Sequence, residues 1–247
     1  MTLQEFFNDH PLVALGFSGG VDSSYLLYAA RRCGADVRAY FVKTAFQPAF
    51  ELEDARRIAE QVGAKMSVIE LDVLSSKTVA ANPPDRCYHC KRVIFSAIAE
   101  QAAADGYSLL IDGSNASDDA GDRPGMLALA ELSVRSPLRE CGITKADVRN
   151  LSKEAGLFTH DKPAYACLAT RISTGTPIEA DTLRRVEQAE EALFALGFSD
   201  FRARVMGEAA RLQFPAEQMS AAVSKREDIL RALKPYFPAV LLDLAGR

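Results

Sequence analysis

The sequence predicts an α/β protein with a parallel sheet, followed by a smaller α+β domain. Before Thr174, short apolar runs alternate with amphipathic stretches, which is the pattern of parallel strands connected by helices on both faces. After Thr174 the order becomes helix, two strands, helix and strand. We therefore predict a first domain at residues 1–172 and a second at 173–247, with a glycine- and proline-containing hinge at 170–177.

The individual elements follow from the same patterns. Short apolar runs predict strands, and longer amphipathic or alanine-rich runs predict helices. The predicted strands are residues 11–17, 37–42, 65–71, 109–112, 201–206, 209–214 and 240–244. The predicted helices are residues 23–32, 51–62, 91–104, 178–196 and 216–233.

The composition is typical of a soluble globular protein. Apolar residues make up 48% and charged residues 25% of the chain, and no apolar run reaches the length of a membrane span. The net charge of −4 gives no general attraction to nucleic acid or to an anionic membrane. The first residues lack the pattern of a signal peptide. We therefore expect a cytoplasmic protein whose partners are neither membranes nor nucleic acids.

The string SGGVDS, at residues 18–23, lies between a predicted strand and a predicted helix. Its glycines let the backbone approach a ligand closely, and the helix N-terminus offers free N–H groups to phosphate oxygens. The hydroxyls of Ser18 and Ser23 add donors. The string lacks the Gly-Lys-Ser/Thr ending of a Walker A loop, which argues against a transferable γ-phosphate. An ordinary glycine-rich turn is the alternative, and the strand–loop–helix context favours a phosphate loop.

A second polar loop, DGSNASDDAGDRPG, follows a later predicted strand. Ligands of parallel sheets bind at the carboxyl ends of the strands, so this loop and residues 18–23 are expected at the same edge. Carboxylates such as Asp112 and Asp122 suit Mg²⁺ together with phosphate, and Arg123 suits a phosphate or a carboxylate. These three side chains are therefore predicted to bind ATP. The alternative is a solvated loop that caps the following helix.

The cysteines suggest reactive or metal-binding thiols. The chain has five, and an odd number in a cytoplasmic setting argues against a disulfide framework. Cys87 and Cys90 form a CxxC at the predicted start of a helix, and Cys167 lies between Lys162 and Arg171. Helix N-termini and basic neighbours favour the thiolate, which is the nucleophile and the metal ligand. Three thiolates can hold a [4Fe–4S] cluster and leave one iron without a protein ligand.

Other interpretations of these cysteines stay open. A CxxC can be a redox pair. The three thiols can form a zinc site with His89 or His160 as the fourth ligand, or they can be small buried side chains. The remaining two, Cys33 and Cys141, lie in no CxxC and at no predicted helix start, and they are predicted to be packing residues.

Five motifs occur in one order along the chain: SGGVDS, PPDRCYHCK, DGSNASDDAGDRPG, RSPL and KPAYACLATR. Together they resemble the LarE family of ATP-dependent sulfur transferases, within the PP-loop ATP-pyrophosphatase superfamily. The resemblance implies the PP-loop fold, cleavage of ATP to AMP and pyrophosphate, and pyrophosphate binding by Ser18, Gly19, Gly20, Asp22 and Ser23. It also implies thiolation of a pyridine-3,5-dicarboxylate mononucleotide during synthesis of the nickel-pincer nucleotide.

The family has two branches that differ in their source of sulfur. One gives up the sulfur of the cysteine that matches Cys167 and leaves dehydroalanine, whereas the other holds an iron–sulfur cluster with an extra sulfide. This sequence has the three cysteines of the cluster branch, at Cys87, Cys90 and Cys167, and so it resembles that branch. Gln213 agrees with this, because the sacrificial pattern has a glutamate there and an amide is neither a base nor a charged ligand.

Further site residues and partners follow from the resemblance. Arg202 and Arg204 alternate along a predicted strand, face the same side, and resemble the family's grip on the substrate phosphate. A solvated strand face is the alternative. The expected cofactors are ATP, Mg²⁺ and a [4Fe–4S] cluster, and the expected partners are a nucleotide substrate and a sulfide donor. We also expect a homo-oligomer, with the second domain binding substrate or joining copies.

Three other functions fit parts of the sequence. A tRNA thiolase shares the phosphate loop and the cluster, but it needs an RNA-binding surface that the acidic balance disfavours. An amide-forming synthetase of the NAD-synthetase kind needs no cysteine cluster. A regulatory module that senses ATP or AMP would bind nucleotide without releasing pyrophosphate.

Overall fold

The computed structural model of the chain describes residues 1–118 and 123–247, and of Arg123 it describes the backbone. These residues form two compact units. The first consists of Met1–Val73 and Asp85–Lys162, and the second of Leu74–Pro84 and Pro163–Arg247. In the described ranges, no helix is both long and apolar enough to cross a membrane.

The secondary structure alternates in the first unit and changes order in the second. The strands are β1 Leu12–Gly16, β2 Asp36–Lys43, β3 Lys65–Glu70, β4 Leu110–Ile111, β5 Arg202–Met206, β6 Ala209–Gln213 and β7 Ala239–Leu242. The α-helices are α1 Leu3–Asp9, α2 Val21–Arg32, α3 Ala49–Gln61, α4 Lys77–Ala80, α5 Arg86–Ala104, α6 Arg123–Glu131, α7 Pro137–Glu140, α8 Lys145–Glu154, α9 Ala180–Ala195, α10 Met219–Ser224 and α11 Arg226–Leu233. Short 3-10 helices lie at Val73–Ser75, Phe158–Asp161, Leu168–Arg171 and Ala216–Gln218.

The sheet of the first unit is parallel and has the order β3-β2-β1-β4. Leu12 pairs with Asp36 of β2, and Ala14 pairs with Leu110 of β4. Strand β1 therefore lies between the strand that follows it and the last strand of the sheet. This is the switch point at which parallel sheets bind ligands beyond the strand ends. The predicted α/β class is confirmed.

Alternate residues of the central strand pack against helices on the two faces of this sheet. Val13 and Leu15 of β1 belong to a buried core with Leu26 of α2. Ala14, between them, belongs to a second core with Ile98 of α5. Side chains of a strand point alternately to opposite faces, so an uninterrupted apolar run is what a doubly covered strand requires. The predicted helices on both faces are confirmed.

The second unit contains a three-stranded sheet of order β5-β6-β7. Strands β5 and β6 are antiparallel and β6 and β7 are parallel. The predicted helix at 216–233 is wrong as one element, because the chain forms a 3-10 turn, α10 and α11 there. The helix is interrupted at Lys225, whose ammonium donates to the carbonyl of Leu196 at 2.8 Å. After this break, α11 buries the side chains of Ile229 and Leu233.

The segment Leu74–Pro84 belongs to the second unit because it is hydrogen-bonded to residues 173–178. The buried side chain of Asn82 donates to the carbonyls of Ser173 at 2.9 Å and Thr176 at 3.1 Å, and the backbone carbonyl of Asn82 accepts from Gly175 N–H at 2.8 Å. The unit therefore joins a stretch of chain far from its other residues in sequence. The predicted domain division between residues 172 and 173 stays a prediction.

Candidate active site

The phosphate loop connects the end of β1 to the start of α2. Gly19 has a φ of +69°, a conformation that other residues rarely adopt. A Cβ atom there would also lie 3.1 Å from the backbone of Ala55 in α3. Glycine is therefore required at this position both for its backbone conformation and for the close packing of α3.

Two serine hydroxyls meet inside the loop. The Oγ atoms of Ser18 and Ser23 lie 3.2 Å apart, and Ser23 Oγ accepts from Ser18 N–H at 3.4 Å. Gly20 N–H donates to Ser18 Oγ at 3.4 Å. These distances are at the long end of the hydrogen-bond range, so the donors are weakly held. They lie at the N-terminus of α2, where a phosphate oxygen would be a stronger acceptor.

Asp112 follows β4 at the same edge of the sheet. Its two carboxylate oxygens accept hydrogen bonds from the hydroxyls of Ser136, at 2.6 Å, and Ser114. The carboxylate is buried and fixed in orientation. Asp122 lies outside the described residues, and the side chain of Arg123 is likewise not described.

Gly113 brings this second loop against the phosphate loop. A Cβ atom on Gly113 would lie 2.9 Å from the backbone nitrogen of Ser23 and 3.1 Å from its Cα. Separations under 3 Å between a Cβ and a backbone atom do not occur without a shift of one of them. Sequence reasoning missed Gly113, since its requirement comes from a contact between distant parts of the chain.

Asp22 is held by two residues that sequence reasoning also missed. Its Oδ1 accepts from Asn115 Nδ2 at 3.2 Å, and its Oδ2 accepts from the ammonium of Lys145 at the start of α8. Asn115 in turn donates to Asp118 at 2.8 Å from its backbone and 3.1 Å from its side chain. The DGSN string shows Asn115 as a polar loop residue, but nothing near Lys145 in the sequence indicates this ion pair.

The two loops border a cavity of about 320 Å³. Its polar side includes Ser18, Ser23, Asp22, Asp112 and Asp118. Its apolar side includes Phe41 and Val42 of β2 and Ile94, Phe95 and Ile98 of α5. A cleft with an apolar wall and a polar, phosphate-binding end suits a nucleotide, and the volume is in the range of small-molecule sites.

Helix α5 connects this cavity to the CxxC motif. Cys87, which is exposed, and Cys90, which is partly buried, lie in its first turns. The cavity-lining residues that follow are Lys91, Ile94, Phe95 and Ile98. Their spacing of three and four residues places them on one face of the helix. One helix therefore carries two predicted cluster ligands at its start and the cavity wall along its length.

Cys167 lies in the second unit, immediately before the 3-10 helix Leu168–Arg171. Its carbonyl accepts from both the N–H and the hydroxyl of Thr170, at 2.9 and 2.8 Å. Arg171, at the end of this turn, forms a two-point ion pair with Glu190 of α9 at 2.7 and 3.1 Å, and both side chains are 1% exposed. Burial opposes the charge of Arg171, but the hydrogen bonds of Glu190 hold the pKa of Arg171 above its usual value.

Arg202 and Arg204 of β5 hold the two ends of the segment that carries Cys167. Arg202 is buried and donates to the carbonyl of Ala164 at 2.8 Å, and Arg204 donates to the carbonyl of Thr170 at 2.7 Å. Burial and the nearby charge of Arg171 lower the pKa of both arginines. Because both side chains are hydrogen-bonded to the protein, Arg202 and Arg204 do not form a solvated strand face. Their contact with a substrate phosphate stays a prediction.

The metal interpretations rest on residues in both units. Cys87 and Cys90 belong to the first unit and Cys167 to the second. None of the five cysteines forms a disulfide. Within the part of the chain that the structure describes, no group of three or more His, Cys, Asp or Glu side chains is arranged to hold a metal. The cluster therefore stays a prediction.

Comparisons with known proteins relate the whole chain to sulfur chemistry. Residues 7–103 match the model of the family described as asparagine synthase. An uncharacterised protein of Synechocystis sp. is 35% identical over 99% of this chain and 92% of its own length. The pyridinium-3,5-bisthiocarboxylic acid mononucleotide synthase of Lactiplantibacillus plantarum is 33% identical over 99% of this chain and 90% of its own length. A tRNA-specific 2-thiouridylase of Pseudothermotoga lettingae is 26% identical over 61% of this chain and 53% of that protein.

Proposed function

We propose that this chain, which belongs to the LarE family of ATP-dependent sulfur transferases, thiolates a carboxylate of a pyridinium dicarboxylate mononucleotide on the route to the nickel-pincer nucleotide. The observation that carries this proposal is the similarity to the Lactiplantibacillus plantarum synthase, which extends over nearly the whole chain. The cavity beside the phosphate loop supports the ATP-dependent half of the reaction.

In this proposal the phosphates of ATP lie over residues 18–23. Support comes from the weakly held hydroxyls of Ser18 and Ser23 and from the N-terminus of α2. The adenine ring packs against the apolar wall formed by Phe95 and its neighbours on α5. Gly16 makes room for this wall, because a Cβ on Gly16 would lie 2.8 Å from the ring of Phe95.

The carboxylates of Asp22, Asp112 and Asp118 line the same cavity, and we propose that one or two of them bind a magnesium ion. Mg²⁺ takes one or two protein carboxylates and completes its shell with water and phosphate oxygens. When bound, the ion would neutralise phosphate charge. Asp122 and Arg123 remain part of the proposed ATP site as sequence-based predictions.

The proposed reaction has two chemical steps. An oxygen of the substrate carboxylate attacks the α-phosphorus of ATP, and the bond to pyrophosphate breaks. A sulfur nucleophile then attacks the acyl carbon of the adenylate, and AMP leaves with the electron pair of the C–O bond. The product is a thiocarboxylate. Donors in the phosphate loop assist the first step by holding the leaving pyrophosphate in line.

For the sulfur source we propose a [4Fe–4S] cluster held by Cys87, Cys90 and Cys167. The donor set fits, since thiolates are the usual ligands of such clusters and three leave one iron without a protein ligand. Cys87 is exposed and the other two are partly buried, so none is sealed inside a core. A bound cluster would supply a renewable sulfide. The alternative is sacrificial transfer from Cys167 itself.

Pyrophosphate release tests the ATP site. We expect release to depend on the dicarboxylate mononucleotide and to be abolished by Asp22→Ala and Ser23→Ala. Ser24→Ala is the matched control, because the buried hydroxyl of Ser24 has no hydrogen-bond partner within the described residues. Normal pyrophosphate release by a folded Asp22→Ala/Ser23→Ala double variant would contradict the assignment.

Anaerobic purification followed by iron, sulfide and zinc analysis tests the cofactor. The cluster proposal predicts about four irons and four sulfides per chain together with visible absorption. Zinc without sulfide would favour the zinc site. A colourless, metal-free protein that still thiolates the substrate once would favour the sacrificial route.

For Arg202 and Arg204 we propose contact with the substrate phosphate. Arg202 also donates to the carbonyl of Phe201, and Arg204 also donates to Gln213 Oε1. Each guanidinium has five N–H donors, more than these bonds and the bonds to Ala164 and Thr170 occupy. We expect Arg204→Ala to weaken binding of the mononucleotide by about tenfold to a hundredfold without changing ATP affinity. Unchanged mononucleotide binding would leave Arg204 with a structural role.

The second candidate function is tRNA thiolation. The similarity to the thiouridylase covers 61% of this chain, which supports the shared ATP chemistry. The net charge of −4 argues against a general RNA-binding surface. Salt-sensitive binding of tRNA by the purified chain would favour this candidate over a small nucleotide substrate.

A further inference from the structure

The geometry points to a hydrogen-bonded relay, formed by Asp243, Gln213 and Arg204, that fixes the segment carrying Cys167. Gln213 and Asp243 are positioning residues in this relay. The relevance of the relay to catalysis rests on the proposed role of Cys167 in sulfur transfer, whereas its structure does not depend on that role.

The central member of the relay is the side-chain amide of Gln213. Its Oε1 accepts from Arg204 Nε at 2.5 Å, and its Nε2 donates to Asp243 Oδ2 at 2.7 Å. An arginine only donates and a carboxylate only accepts, so a group between them must accept on one side and donate on the other. Among side chains of this size, a neutral amide meets that requirement.

Both ends of the relay are anchored to the backbone. At one end Arg204 Nη1 donates to the carbonyl of Thr170 at 2.7 Å, and Thr170 donates twice to the carbonyl of Cys167. At the other end Asp243 N–H donates to the carbonyl of Leu212 at 2.9 Å. The relay therefore links the chain beyond β7 to the turn that begins at Cys167, through side chains of β5 and β6.

The charges around Asp243 favour this arrangement. The hydrogen bonds from Gln213 and from Ala245 N–H, with the nearby guanidiniums of Arg211 and Arg204, hold the pKa of Asp243 below its usual range. Arg211 Nε lies 3.7 Å from Asp243 Oδ2. The Gln213–Asp243 pair thus carries one negative charge, located at Asp243.

This arrangement explains why an amide stands at position 213. A glutamate there could accept from Arg204, but it would place a second carboxylate against Asp243 with no proton between them. Like charges at hydrogen-bond distance repel, and Asp243 would lose the hydrogen bond that Gln213 Nε2 donates to it. The residues at 213 and 243 are therefore coupled: the negative charge can sit at either position, but not at both.

Exchanging the amide of Gln213 and the carboxylate of Asp243 between the two positions tests the relay. In Gln213→Glu the relay loses the hydrogen bond to Asp243 and gains a repulsive contact. In the double variant Gln213→Glu/Asp243→Asn, the introduced carboxylate accepts from Arg204 on one side and from the introduced amide on the other. The double variant therefore restores both the net charge and the order of donors and acceptors. Asp243→Asn alone keeps an acceptor for Gln213 and serves as the control.

Hydrogen exchange of the segment 163–172 is the measurement, in the full chain without nucleotide. We expect exchange of the Thr170 amide to be about tenfold faster or more in Gln213→Glu, because a charge-assisted bond is lost. We expect it to return to within about twofold of wild type in the double variant, and to stay within about threefold in Asp243→Asn. Gln213→Met, which removes both bonds without adding charge, replaces Gln213→Glu if the latter does not fold.

Alkylation of Cys167, followed by peptide mass spectrometry, gives a second readout with Cys141 of the first unit as the internal reference. Alkylation of Cys167 relative to Cys141 should rise in Gln213→Glu and return in the double variant. Unchanged exchange in Gln213→Glu, or a double variant as fast as Gln213→Glu, would overturn the relay. Neither readout needs ATP, substrate or iron, so a wild-type chain that fails to thiolate would refute the proposed function and leave these results standing.

Discussion

The two units use their polar groups in opposite ways. At the phosphate loop of the first unit, the hydroxyls of Ser18 and Ser23 are weakly held, and they border an open cavity. In the second unit, Arg171, Arg202 and Arg204 each donate to carbonyl or carboxylate oxygens of the protein. The difference shows that a basic residue near a predicted site can serve first to build the site. The hydroxyls of the phosphate loop are available to a ligand because their hydrogen bonds within the protein are long.

The buried ion pair of the second unit gives the largest expected effect. Glu190→Ala leaves the buried guanidinium of Arg171 without its charged partner, and we expect the free energy of unfolding to fall by about 3–5 kcal/mol. Denaturant unfolding followed by circular dichroism measures this. Asp181→Ala is the control on the same helix, because its pair with Arg184 is well exposed, and it should cost less than about 1 kcal/mol. Equal losses of stability in the two variants would contradict the expected difference between the buried ion pair of Glu190 and the exposed ion pair of Asp181.

In the first unit, Gly113 tests whether the phosphate loop depends on its close contact with the second loop. The Cβ of Gly113→Ala would press on the backbone of Ser23, displacing a loop on which the phosphate site depends. A misplacement of about 1 Å can cost roughly a hundredfold in rate, and we expect pyrophosphate release to fall by about that factor. Gly34→Ala is the control for backbone strain: its φ of +84° should lower stability, but its Cβ meets nothing within 4 Å, so pyrophosphate release should be kept. Full activity in a folded Gly113→Ala protein would show that the loops need not touch.

Lys145 gives the smallest of these effects. Its ammonium holds Asp22 and is partly exposed, so Lys145→Ala should slow pyrophosphate release by about tenfold while changing stability little. Lys153→Ala, an exposed lysine at the other end of α8, should have no effect. If the two lysine variants behave alike, Asp22 is positioned by Asn115 and the loop backbone alone.

The features that are predictable from the sequence depend on neighbours along the chain. Strand β1 and the phosphate loop are predictable because apolar runs, glycines and a helix start lie within a few residues of one another. The order of the first-unit elements indicates a parallel sheet. In a parallel sheet the loops that follow the strands lie at one edge, so both polar loops are expected there. The CxxC lies at a helix start, as predicted.

Features that depend on distant contacts are not predictable from local pattern. The ion pair of Asp22 with Lys145 joins residues 123 positions apart, and the contact of Gly113 with Ser23 is visible only once the strands are placed. The predicted helix at 216–233 fails because the break at Lys225 depends on the end of α9. Gln213 departs visibly from a family pattern, but its reason, the carboxylate of Asp243, requires the fold.

The central claim concerns the source of sulfur, and the mass of the protein after turnover tests it most directly. The anaerobically prepared chain is incubated with ATP, Mg²⁺, sulfide and the dicarboxylate mononucleotide, and its intact mass is measured beside that of the thiolated product. The cluster proposal predicts more than one product per chain, an unchanged polypeptide mass, and loss of activity in Cys87→Ala, Cys90→Ala and Cys167→Ala alike. A polypeptide lighter by the mass of H₂S, with dehydroalanine at position 167 and activity retained in Cys87→Ala and Cys90→Ala, would contradict it.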